Sequence, residues 1–320
     1  MRGIVKQERV AWIDISKAIG ILLVVLGHMN IPVVLSKLIF SFHMPLFFYI
    51  SGFLFNAKKY SDHVNILFTS RAKSLLWPFF TFTLLSIIII LRTDKNFLYN
   101  FNFIDFLRGN KSPNTPLWFL TALFSVEIIF VLLIKLTANR FKLFLLVLLL
   151  FGLGIYNAYV FKFNFILNLT IALVALFYFW LGWFSKSINI NNFSVNKYTV
   201  VWIILLAASL IILANSNSRL DMYSFNYGYL PITIVSSILG ICLTLIVSKV
   251  FLKSNLIAKI MSFIGRNTLT ILGVHTIIPP LVVSFFTDIH YRLDRLLSIL
   301  LIVFCVFIFK YKFPKFLSLR

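Results

Sequence analysis

Apolar residues gather along this chain in ten stretches of about the length a bilayer requires: 13–29, 38–55, 75–91, 117–136, 141–156, 165–184, 198–214, 230–252, 261–286 and 296–309. The connections are mostly short, so sequential helices are expected to be antiparallel neighbours. The predicted fold class is all-α, a polytopic helix bundle with about ten transmembrane helices. An even number of crossings puts both termini on one side. The stretch 38–55 carries His43 and Pro45 and is expected to break at Pro45, which has no backbone N–H to donate. The stretch 141–156 is short.

Composition agrees with this reading. Sixty per cent of residues are hydrophobic, 12% are charged and the mean hydropathy is +0.97, which excludes a soluble domain. The net charge of +21 invites a nucleic-acid partner, but its distribution does not. Of thirty Lys and Arg residues, the predicted inner segments hold twenty and the outer ones nine, with Lys17 inside a span. That asymmetry follows the positive-inside rule and predicts cytoplasmic termini in a multi-pass protein of the cell membrane. No linker or repeat divides the chain, so residues 1–320 are expected to form one domain. Cys242 and Cys305 both fall in apolar stretches and suggest neither a disulfide framework nor a metal site. Charges inside the first stretch, with no small-residue site after His28, argue against a cleavable signal peptide.

That first stretch is the most informative. Residues 12–29 are uncharged and mostly aliphatic except for Asp14, Lys17 and His28. Ionisable groups at membrane depth are expensive and usually face a cavity or a partner. Lys17 and His28 are eleven positions apart, about 20° from one another around a helix and separated by roughly 16 Å of rise. One helix face therefore carries a fixed cation below an acid–base group, which suits a long anionic acyl carrier reaching into the bilayer. Asp14 is too far along the helix, about 21 Å from His28, to orient its ring. As the residue three before Lys17, it is placed for an intrahelical ion pair instead.

Other groups fall at useful depths. His43 and His275 lie in the outer half of their stretches, Glu127 lies near a midplane, and His63 and His290 lie in loops. A neutral imidazole is a competent general base when a neighbour orients its other nitrogen. Glu127, His43 or His275 fits that role for His28. Against this, a membrane histidine commonly just bonds a carbonyl, and Glu127 can equally be a buried acid paired with a cation. Arg71 and Lys73, just before the third stretch, are positioned for phosphate or for ordinary interfacial anchoring. Two outer connections are rich in aromatic residues, one with Phe97, Tyr99, Phe101, Phe103 and Phe106, the other with Asn217, Asp221, Tyr223, Asn226 and Tyr227. Such mixtures suit either a sugar or an aromatic belt. Gly-rich phosphate loops, His/Cys metal clusters and serine-nucleophile motifs are missing from the sequence.

The stretch Trp12-Ile13-Asp14-Ile15-Ser16-Lys17-Ala18-Ile19-Gly20-Ile21, with Val24-Val25-Leu26-Gly27-His28, resembles the opening helix of the membrane acyltransferase 3 family. The closest flavour is its fucose 4-O-acetylase-like branch. Phe42-His43-Met44-Pro45-Leu46-Phe47-Phe48-Tyr49-Ile50-Ser51-Gly52-Phe53 resembles a second family motif. Arg71 with Leu75-Leu76-Trp77-Pro78, Leu117-Trp118-Phe119-Leu120, and Ile264-Gly265-Arg266-Asn267-Thr268-Leu269 leading to His275 follow in family order.

The resemblance implies transfer of an acyl group, usually acetyl, from acetyl-CoA or another acyl-CoA to a carbohydrate hydroxyl, without a metal. It ties Lys17 and His28 to activity. His28, His43 and Glu127 are then the candidate catalytic group, and Lys17, Arg71 and Lys73 the candidate carrier site. Asp14, Trp118 and His275 are the candidate substrate contacts. The family often has Arg where Lys17 stands, so a point charge replaces a bidentate fork. With no separate outer domain expected, the bundle and its loops would handle the acceptor. A transporter or flippase using the same buried groups as a proton relay is the rival reading.

Overall fold

Long aliphatic and aromatic runs with few helix breakers give helices almost throughout, and the computed structural model is all-α. It describes residues 10–93, 97, 101–109, 112–186, 195–285 and 291–311. Arg2, Lys6, Arg9, Lys95, Tyr99, Lys111, His290, Lys312, Lys315 and Arg320 lie outside them. Among the described residues there is no strand, only one isolated antiparallel bridge between Asp221 and Asn226.

The first helix, α1 (Ala11–Gly27), is followed by α2 (Val33–Phe40) and α3 (His43–Leu54). The expected break near Pro45 lies instead at Ser41–Phe42. Pro45 sits in the first turn of α3, where a backbone N–H has no helical partner anyway. What stabilises the break comes from elsewhere in the bundle: the Ser237 hydroxyl donates to the Ser41 carbonyl at 2.6 Å. The Phe42 side chain fills the space over Gly240, where a Cβ would lie 2.1 Å from its ring.

Short helices α4 (Ala57–Tyr60) and α5 (Val64–Arg71) lead through a π-helical turn, Ala72–Leu76, into α6 (Trp77–Thr93). Next come α7 (Phe103–Arg108), α8 (Trp118–Leu136), α9 (Arg140–Val160), α10 (Leu169–Ser185), α11 (Thr199–Asn215) and α12 (Leu230–Phe251). The stretch 261–286, expected as one helix, is part of a segment split into α13 (Asn255–Arg266), α14 (Thr268–Val274) and α15 (Ile278–Phe285). Pro279 accounts for the second interruption, because its ring would collide with the carbonyl four residues back, that of His275. The last helix is α16 (Tyr291–Tyr311).

Six described segments are long and apolar enough to cross a membrane: Val33–Leu54, Val64–Arg92, Thr115–Leu136, Arg140–Val160, Ile166–Ser185 and Leu230–Phe251. The expected ten differ from these for physical reasons. Helices α1 and α11 each have 17 residues, Ile299–Ile308 is shorter still, and the ninth stretch is broken. Large apolar side chains such as Leu149, Trp202 and Ile212 stand exposed on α9 and α11, as expected of surfaces that face lipid. Together these features make the chain a multi-pass membrane protein.

Close backbone approach holds the interior together. A Cβ on Gly52 of α3 would fall 1.8 Å from the Phe179 carbonyl oxygen, and one on Gly182 of α10 would fall 1.9 Å from the Tyr49 carbonyl oxygen. Small residues at such crossings are the usual route to tight helix packing in a bilayer. Phe55, Phe130 and Phe179 pack edge-to-face beside this contact, with centroids 5.1–5.7 Å apart. Gly182→Leu is expected to destabilise the bundle by about 3 kcal/mol, the upper range for overpacking. Thermal unfolding in detergent checks this, and an unchanged midpoint would contradict the crossing.

Candidate active site

Helix α1 runs through the middle of the assembly, packed on α3, α12, α13 and α14. Its residues Lys17, Ile21, Val24 and His28 recur at helical spacing and line two adjoining cavities. The lower cavity, about 180 Å³, is apolar except for Lys17, Ser51, Ser74 and Thr268. The upper, about 190 Å³, is lined by His28, His43, Trp118, Arg219, Asp221 and Tyr223 among others. Val24, Met44 and Leu272 line both, so the two share a wall. Lys17 and His28 therefore lie on one face of α1, each at one of two neighbouring cavities.

Three histidines meet at the upper end, each with Nδ1 at a carbonyl of its own chain segment. His28, the C-cap of α1, bonds the Val24 oxygen at 2.8 Å, and His43, at the start of α3, bonds the Ile39 oxygen at 2.9 Å. His275, the C-cap of α14, lies 3.1 Å from the Ile271 oxygen and 3.0 Å from the Leu272 oxygen. A carbonyl only accepts, so Nδ1 carries the proton and Nε2 the lone pair in each neutral ring. His275 packs edge-on against His28 with centroids 5.1 Å apart, and Phe40 packs against His43 at 4.8 Å. His43 and His275 are buried, whereas His28 is exposed to the cavity mouth.

The α11–α12 connection folds over this end. Asn217 accepts from the Tyr229 N–H at 2.8 Å and donates to the Thr233 hydroxyl at 2.9 Å. Phe225 and Gly228 have positive φ, which closes the turn around the Asp221–Asn226 bridge. Arg219 donates to Asp221 at 3.1 Å while its guanidinium lies 4.3 Å from the Phe40 ring centroid. Tyr223 lies 6.4 Å from Trp118. Burial pushes the Tyr227 hydroxyl of this loop well above the ordinary phenol range, so it stays protonated.

The remaining candidates sit elsewhere. Glu127 is buried against Arg71, with which it forms an ion pair, and neither residue lines the cavities. Lys73 is exposed and lines neither cavity. Asp14 lies at the crossing of α1 and α13, where its carbonyl oxygen would stand 1.8 Å from a Cβ on Gly265. Arg219, Ser51, Ser74 and Thr268 were not singled out from the sequence. For Arg219 a signal existed, a lone cation two residues before Asp221 in an aromatic loop. For the three hydroxyls there was none. Among the described residues no group of three or more His, Cys, Asp or Glu side chains is placed to hold a metal ion.

The arrangement offers an acid–base centre at one cavity and a cation at its neighbour. No curated protein and no solved structure matches the chain. Residues 10–311 match the acyltransferase 3 family, described as an acyltransferase domain, and the chain belongs to that family of acyltransferases.

Proposed function

We propose that this protein moves an acyl group, acetyl in the first instance, from acyl-CoA to a carbohydrate hydroxyl, in keeping with the fucose 4-O-acetylase-like branch. The observation that carries the reading is the shared wall of the two cavities, with Lys17 and His28 on one stripe of α1. CoA enters from the cytoplasmic end with its phosphates near Lys17, and its thioester arm extends toward the histidines. His28 Nε2 takes the acceptor proton as the hydroxyl oxygen attacks the thioester carbonyl. The C–S bond then breaks and the imidazolium returns the proton to the departing thiolate. Transfer through an acyl-imidazole at the same nitrogen uses the same groups in two steps. Much of the rate would come from holding thioester and hydroxyl at near-attack distance. The aromatic and polar loop over the histidines suits a sugar, with Trp118 and Tyr223 as apolar wall and the Arg219–Asp221 pair at the rim.

Incubation of the purified protein with labelled acetyl-CoA and a panel of glycans tests the proposal. Covalent label on a glycan supports it, and glycan movement without label would favour the transporter. Lys17→Ala is expected to raise the KM for acetyl-CoA about tenfold, as for a lost charge-assisted contact, with a much smaller change in kcat. An unchanged KM would remove Lys17 from the carrier site.

A further inference from the structure

In this bundle, several helical hydroxyls bond the carbonyl four residues back. Ser16 bonds the Trp12 oxygen at 2.9 Å, Ser86 the Phe82 oxygen at 2.7 Å, Thr244 the Gly240 oxygen at 2.8 Å and Ser248 the Thr244 oxygen at 2.7 Å. Ser74, Thr83 and Thr270 do not follow them, and of these three only Ser74 lines either cavity. Its Oγ is buried and has no hydrogen-bond partner, although Ser74 lines the lower cavity. Ser74 lies within the π-helical turn Ala72–Leu76, the only turn of that type among the described residues. A π-turn departs from the i→i−4 register and often marks a functional position. A buried hydroxyl without a partner is destabilising, so its retention calls for a reason.

The cavity supplies one. Ser51 and Thr268 also line it, and with Ser74 they are the neutral polar side chains in an otherwise apolar wall that begins at Lys17. Three hydroxyls that can donate or accept match a ligand segment that is neutral yet carries both donors and acceptors. A phosphate would call for cations, and a plain acyl chain would call for no hydroxyl at all. The arm that joins the phosphates of CoA to its thioester has this character, because it contains two secondary amides. We infer that Ser74, presented by the π-turn, turns its hydroxyl into the cavity to hydrogen-bond an amide of the acyl carrier's arm, with Ser51 and Thr268 completing the polar seat. The inference rests on the acyl-CoA reading above and adds to it where along the passage the carrier is recognised.

Binding of CoA and of pantetheine, which keeps both amides but lacks the phosphates, measured calorimetrically in detergent, separates the possibilities. Ser74→Ala is expected to weaken both ligands about five- to tenfold, the range for one neutral hydrogen bond. Its thermal stability should be equal to or above wild type, since an unsatisfied group has been removed. Ser74→Thr, which keeps a hydroxyl, should restore most of the affinity, and Lys17→Ala should weaken CoA much more than pantetheine. Wild-type affinity in Ser74→Ala, or a loss of stability parallel to the loss of binding, would overturn the inference. A wild-type protein that binds no CoA would remove the acyl-CoA reading and this inference with it. Wild-type binding with an indifferent Ser74→Ala removes this inference alone.

Discussion

His28→Ala is expected to lower acyl transfer by about two to four orders of magnitude, the usual contribution of a positioned general base. Its Nδ1 is committed to the Val24 carbonyl at 2.8 Å, which leaves Nε2 as the lone-pair nitrogen beside the cavity. That bond also holds the ring at the end of α1, so a side chain of similar size without a basic nitrogen isolates the chemistry. His28→Phe should therefore be as inactive as His28→Ala while retaining the wild-type unfolding midpoint. Because His28 is exposed rather than part of the packed core, neither substitution creates a large cavity. Initial rates of labelled acetyl transfer at saturating donor provide the readout. A variant that turns over within threefold of wild type would end the role given to His28, and either His43 or His275 would then have to supply the base.

The second large effect concerns stability. Arg71→Ala is expected to destabilise the protein by about 3–5 kcal/mol, because it leaves a buried Glu127 without its counter-ion. Glu127→Gln in the same chain should recover much of that loss, since it removes the uncompensated charge. The pair joins the end of α5 to the middle of α8, so it fixes the π-turn that carries Ser74 as well as the packing of two helices. Chemical denaturation and thermal unfolding of the two single variants and the double variant measure the coupling. Arg71→Ala with wild-type stability and weakened CoA affinity would return Arg71 to the phosphates, as the sequence had suggested. Full stability and full affinity would deny it both roles.

Much of the site was legible because helical periodicity is local. Positions 17, 21, 24 and 28 share a face in any α-helix, and the structure opens that face onto cavities. That the three histidines fall at a similar level of the bundle could likewise be counted along the chain. Two breaks were less legible. Pro45 drew attention to the right segment, yet the break falls a few residues earlier, where Ser237 from α12 satisfies the Ser41 carbonyl. Pro279 lay within a stretch whose hydropathy alone suggested one continuous span.

By itself the sequence determined that the chain is helical, membrane-embedded and built around a first helix with a cation and an imidazole on one stripe. Those properties follow from side-chain hydropathy and from backbone bonds between residues four apart, which need no knowledge of neighbours. Only the tertiary structure decided that Glu127 answers Arg71 rather than His28, and that Arg219 and Asp221 close over the histidines. It alone also left the hydroxyl of Ser74 without a partner beside the lower cavity. Each depends on contacts between segments far apart in the chain, and such contacts are selected by packing of the whole bundle.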